Sequence, residues 1–258
     1  MHDYITVLSD PDHVPQKAIQ LASLLADGFQ KEVCFLSFAS GSADQSRIET
    51  LHQSWMNELS HPAISKICNT DTTLHDALSQ LEAAFLIIEP SADSVYNNIQ
   101  PILNLCKPLR VPYFIINQNV TTPQINKALV PVGFLTEEKE KGIFASKLAR
   151  FCNSSITLLK ANDYGSRAER SANQIRTLFE KLEVSCKIEL ARKDSFKVQH
   201  EASLRASNGE ADLIIITASR EYGLDDVIFG PPERKIIQNT TVPVMVINPR
   251  PDLYVLCD

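Results

Sequence analysis

ADLIIIT (residues 211–217) and VPVMVIN (residues 242–248) decide how this chain is read, because each has an earlier counterpart, AAFLIIE at 83–89 and VPYFIIN at 111–117. None of the four alternates apolar with polar residues. Continuous apolar runs of β type mark strands buried on both faces, the condition of a parallel sheet covered by helices. Working outward, ITVLSD at 5–10 answers ALVPVG at 128–133, and VCFLSF from Val33 answers ITLLKA from Ile156 at the same distance from the preceding run. Shorter strands of edge type are predicted at about 64–68 and 186–190. Helical period predicts helices at about 14–26, 45–59 and 72–81, and again at about 137–151, 165–182 and 195–206. Ile19, Ala22, Leu25 and Ala26 form one apolar stripe; Ile143, Ala145, Leu148, Ala149 and Phe151 form its counterpart.

Duplication is the economical explanation, and strands alternating with helices imply right-handed crossovers, so each half is expected to be a doubly wound parallel sheet. The polar stretch QNVTTPQINK (118–127) reads as the linker, dividing the chain into domains 1–120 and 126–258. The second domain carries a tail in which two prolines precede an apolar run at 253–257, read either as a frayed terminus or as cover for a sheet edge.

Hydrophobic residues make up 44% and charged residues 22% of the 258, the balance of a chain able to bury a sizeable core. A formal charge of -6 gives no electrostatic reason to collect on nucleic acid or an anionic membrane. The N-terminal segment lacks the pattern of a secretory signal and no stretch has the length of a membrane span, so the expected compartment is the cytoplasm. Six dispersed cysteines without a CxxC pair read as buried thiols.

The order of these runs, the VPxxxIN ending of each half, and the segment ADLIIITASREYGLDDVIFGPPERKIIQNTTVPVMVIN resemble the universal stress protein family as a tandem-domain member. Gly223, Gly230, the helix-like ERKIIQN and the Val242-Pro243 pair hold the places of that family's last loop, helix and strand. The resemblance implies two tandem five-stranded sheets of order 3-2-1-4-5, of the adenine nucleotide alpha hydrolase-like type, packed as an internal pseudo-dimer. It also places any ligand crevice at the carboxyl ends of strands one and four.

ATP-binding members of that family carry an acidic residue after strand one and a loop of form G-x-x-G-(x)9-G-[ST] after strand four, whose backbone N–H groups approach the phosphates. In the second half the two leading glycine positions fall on Thr217 and Arg220, the hydroxyl position on Pro231, and the acidic position on Gly133. The first half keeps Asp10 but has no glycine between Glu89 and Arg110. Asp10 also suits a turn or helix cap, Gly223 and Gly230 suit backbone turns, and Arg220 with Arg234 and Lys235 suits a solvated face or a small-anion site. Asp10, Arg220, Gly223 and Gly230 are therefore the candidate ligand residues, and no cofactor is predicted, ATP or AMP being the family alternatives.

The Asp10-Pro11-Asp12-His13 cluster reads as a polar turn rather than a metal site, and Trp55, at helical spacing with Leu51 and Leu59, as core or interface. No nucleophile-base pair, GxSxG or GxxxxGK[ST] is present. The expectation is a non-enzymatic stress-response scaffold or regulatory module with an unknown protein partner and a possible homodimer. A nucleotide or other small-ligand sensor is the alternative.

Overall fold

The computed structural model describes residues 4–219 and 231–250. The chain divides into two compact units, Met1–Pro123 and Gln124–Asp258, with the division inside the polar stretch at 118–127.

The first unit contains β1 (Tyr4–Leu8), α1 (Gln16–Phe29), β2 (Glu32–Ala39), α2 (Ser42–Glu58), β3 (Ala63–Asn69), α3 (Leu74–Gln80), β4 (Ala83–Ile88), α4 (Ile99–Cys106) and β5 (Tyr113–Ile115). Its strands lie in the order β3-β2-β1-β4-β5, and every pairing is parallel. Ile5, Val7, Phe35, Leu36, Leu86, Ile87 and Phe114 are buried, each side chain contributing about 1.5–3 kcal/mol on leaving water. The predicted stripe on α1 is the buried one, with Ile19, Ala22, Leu25 and Ala26 against the sheet.

Two details of this unit were not legible from apolar period. Helix α4 starts at Asn98, whose side chain accepts the Gln100 N–H at 3.1 Å, and it tolerates Pro101 because first-turn amides have no intrahelical partner. Helix α2 buries only Ile48, His52 and Trp55, at i, i+4 and i+7, so an imidazole stands within its buried stripe where apolar period would look for an apolar side chain.

The second unit contains β6 (Lys127–Val132), a 3-10 turn (Thr136–Lys139), α5 (Glu140–Cys152), β7 (Ser155–Lys160), α6 (Arg167–Lys181), β8 (Cys186–Leu190), α7 (Val198–Ser207), β9 (Leu213–Thr217), α8 (Pro232–Asn239) and β10 (Val244–Ile247). Its order is β8-β7-β6-β9-β10, again parallel, so each unit has the arrangement 3-2-1-4-5.

The stripe expected on α5 is corrected. Ile143 and Phe151 are each 45% exposed, and the helix buries Gly142, Ala145 and Leu148 together with Glu140 and Lys141. A Cβ on Gly142 would stand 3.0 Å from Ile175 Cγ2, so close packing on α6 turns the glycine inward and Ile143 outward. The tail at 253–257 lies outside the described residues.

Candidate functional site

In a doubly wound sheet the connections leaving the first and fourth strands turn to opposite faces and open a crevice at the carboxyl ends of those strands, and neighbouring strands β1 and β4 place that crevice in the first unit beside Asp10 and Glu89. Asp10 is 7% exposed. Its Oδ1 accepts the Asp12 N–H at 2.9 Å, closing a turn, and its Oδ2 accepts the hydroxyl of Ser94 from the loop after β4. Pro15, not Asp10, occupies the N-cap position of α1. Ser94 in turn accepts the Tyr96 N–H at 2.9 Å, and burial, with the Asp10 carboxylate nearby, pushes the Tyr96 phenol up.

Glu89 directly follows β4. Its Oε2 accepts from the backbone N–H groups of Lys17 at 2.8 Å and Ala18 at 2.9 Å, and its Oε1 lies 3.7 Å from His13 Nε2. The N-terminus of α1, where an anion would meet free amides and the positive end of the helix dipole, thus already holds a carboxylate from its own chain.

The second unit reaches a comparable arrangement with different residues. Glu233, 3% exposed in the first turn of α8, accepts the Ser219 N–H just beyond β9. Gly133, after β6, faces Ser195: a Cβ there would meet Ser195 Oγ at 3.0 Å and Cβ at 3.1 Å. Ser195 is fixed by Asp163, whose carboxylate accepts both its N–H, at 2.8 Å, and its hydroxyl. The space an acidic side chain at 133 would need is therefore filled. Lys141 is fully buried, donating to the Pro131 carbonyl and to Glu138. Thr217 Oγ1 and Arg234 Nε are buried and make no hydrogen bond among the described residues.

Asp10 thus sits in the crevice of the first unit with both oxygens engaged, whereas Arg220, Gly223 and Gly230 lie outside the described residues. Sequence reading missed Glu89 and Glu233 as crevice residues. A glutamate ending an apolar strand and a glutamate behind two prolines carry no motif, and they hold different places in the two repeats, Glu89 answering Thr217. Among the described residues no group of three histidines, cysteines or acids is placed to hold a metal ion, and no helix is long and apolar enough to cross a membrane.

Sequence reading also missed a buried polar cluster in the first unit. His52 on α2 is fully buried; its Nε2 lies 3.0 Å from Ser37 Oγ and 3.2 Å from Ser9 Oγ, and its Nδ1 lies 2.7 Å from Ser65 Oγ. Burial lowers its pKa to about 4, so the imidazole is neutral at neutral pH. Its ring packs against Phe35 and Trp55, with centroids 5.6 and 5.4 Å away, which makes Trp55 a core residue. The readable signal was Ser37, a polar residue inside the apolar run VCFLSF.

No protein-family model matches the sequence, and a comparison with curated proteins finds no match. Solved structures share the fold. A candidate universal stress protein from Pseudomonas aeruginosa UCBPP-PA14 superposes with a TM-score of 0.65 at 15% identity, over 98% of this chain and 95% of that one. A universal stress protein from Archaeoglobus fulgidus DSM 4304 gives 0.65 at 11% identity, over 94% and 98%. The cytoplasmic domain of a prokaryotic cation chloride cotransporter gives 0.58 at 14% identity, over 95% and 94%. The fold of this chain is the one found in universal stress proteins, and it also occurs in a transporter's cytoplasmic domain.

Proposed function

We propose that this protein is a non-enzymatic, cytoplasmic stress-response protein acting as a scaffold or regulatory module, and that neither crevice takes ATP by the glycine-loop mode. One observation carries the reading. In each unit a glutamate carboxylate of the chain itself occupies backbone amides beside the end of the fourth strand, Glu89 on Lys17 and Ala18, and Glu233 on Ser219. A phosphate arriving there would have to displace a carboxylate already held by two charge-assisted hydrogen bonds in the first unit, and would meet a second negative charge in either. The loss of glycine at 217 and of a backbone N–H at Pro231 acts in the same direction. The stress-response assignment leans on the fold shared with universal stress proteins.

Thermal shift and calorimetry with ATP, AMP, adenosine and cyclic nucleotides test the reading. Silence is the expected result; a stabilisation abolished by Asp10→Ala would overturn it. The same reading takes the two units as an intramolecular pseudo-dimer. Small-angle scattering of the intact chain should then report one compact particle, and two independently moving bodies would count against it.

A small-ligand sensor is the second reading, favoured by the buried Thr217 hydroxyl and Arg234 Nε, which lack hydrogen bonds among the described residues. A small molecule that co-purifies with the native protein and is lost on Thr217→Val, detected by mass spectrometry, would favour the sensor over the scaffold.

A further inference from the structure

The loops that follow β6, β7 and β8 in the second unit expose large apolar side chains that no element among the described residues covers. Phe196 is 84% exposed, Tyr164 is fully exposed, and Leu135 is 46% exposed. Phe196 is not a loose side chain: it packs edge-on against Phe134 with ring centroids 5.4 Å apart. The loops are also tied to one another. Asn162 N–H donates to the Lys193 carbonyl at 2.8 Å, and Asp163 holds Ser195 through its N–H and hydroxyl. A surface whose backbone is already ordered gives up little conformational entropy when a partner arrives.

The charge around these rings is opposite to that of the whole chain. Residues 160–170 and 191–197 contain Lys160, Arg167, Arg170, Arg192, Lys193 and Lys197 against Asp163, Glu169 and Asp194, in a protein of net charge -6. Glu169 is neutralised by Lys160, whereas Asp163, bonded to the uncharged Ser195, keeps its charge. Arg167, Arg170, Arg192, Lys193 and Lys197 remain in these stretches against Asp163 and Asp194, with Glu201 of α7 added where it accepts the Arg192 and Lys193 N–H groups at 3.1 and 2.8 Å, so five cations stand against three carboxylates. Arg192 and Lys193 also border a groove of about 590 Å³ between the end of β8 and α7, where Leu190 is 59% and Leu204 is 54% exposed.

We propose that this surface docks an acidic linear segment of a partner protein, its apolar side chains seated on Phe196 and in the Leu190–Leu204 groove and its carboxylates on Arg192, Lys193 and Lys197. Charge complementarity selects an acidic occupant, and the exposed side chains of Phe196, Leu190 and Leu204 select one that also carries apolar groups, a protein segment. A single-stranded nucleic acid could stack on Tyr164 and Phe196 but fits less well: Leu190 and Leu204 are aliphatic and give bases no stacking face, and a longer polyanion would run onto a negatively charged protein. This inference rests on the scaffold reading only in taking the ligand to be a protein segment, and it does not depend on the state of either crevice.

Fluorescence polarisation on the intact protein tests it with a labelled peptide of Asp and Glu carrying one Trp and two Leu. Comparators are the same peptide with Gln for the acids, the same peptide with Ala for Trp and Leu, and a labelled oligothymidylate. The acidic apolar peptide should bind at least about tenfold more tightly than each comparator, and the affinity should fall by about tenfold or more in Arg192→Glu/Lys193→Glu and by severalfold in Phe196→Ser. Both sites of change are exposed, so unaltered melting temperatures will show that the fold is intact. Absent binding, equal affinity for the comparators, tighter oligothymidylate binding, or no response to the variants would overturn the proposal. Nucleotide binding measured in parallel bears on the scaffold reading alone, which separates the two failures.

Discussion

Glu89 caps Lys17: the carboxylate at the end of β4 accepts the Lys17 N–H at 2.8 Å and closes the N-terminus of α1 with a charge from within the chain. The contact joins the strand that ends at the crevice to the helix that would otherwise present amides to an anion. In the proposed function, that side chain both caps the helix and keeps anions from its amides.

Removing that carboxylate should separate the two effects. Glu89→Ala is expected to lower unfolding free energy by about 1–3 kcal/mol, from the lost cap and helix-dipole interaction. Urea denaturation of the variant should also become sensitive to added sulfate or phosphate, which should stabilise the variant more than the parent. Equal anion sensitivity in both proteins would mean that Glu89 does not keep anions out.

The His52 cluster predicts acid lability of the first unit. The folded-state pKa is lowered to about 4, below the ordinary 6.5, so between these values the unfolded chain binds a proton that the native state does not. Stability contributed by neutral His52 is therefore full above pH 6.5 and is lost as pH falls from 6.5 to 4, by on the order of 3 kcal/mol. Hydrogen exchange should show α2 losing protection over this window, since only Ile48 and Trp55 are otherwise buried along it. His52→Gln should be less stable at neutral pH and should flatten the pH dependence; an unchanged slope would assign the acid sensitivity to other groups.

Restoring an acid at position 133 should not restore a nucleotide site. Gly133→Asp drives a Cβ into Ser195, and a cost of about 1–3 kcal/mol is expected, with partial recovery in Gly133→Asp/Ser195→Gly. Thermal melts of the single and double variants measure the coupling. A single variant as stable as the parent would show that the Ser195 loop yields freely.

Lys141 and Glu138 form a buried pair, so removing one partner is costlier than removing both. Lys141→Met should destabilise the second unit by about 3–5 kcal/mol, because it strands the Glu138 carboxylate, and Lys141→Met/Glu138→Leu should recover a large part. Chemical denaturation of the three proteins provides the comparison, and additive losses would remove the pair from the account.

The sequence by itself determined the fold to a large extent. Uninterrupted apolar runs such as AAFLIIE and ADLIIIT can be buried only on both faces of a parallel sheet, and the helix-sized spacing between runs sets the crossover connections. What those patterns could not carry was decided by tertiary structure. The facing of α5 depends on Gly142 meeting Ile175, a contact between separate helices. Glu89 and Glu233 gain their roles from partners 72 and 14 residues away along the chain, and His52 from serines 13, 15 and 43 residues away. Hydrophobic period is a local property of the chain, whereas a buried charge or imidazole is defined by the groups that satisfy it, and only the folded arrangement brings those groups within hydrogen-bonding distance.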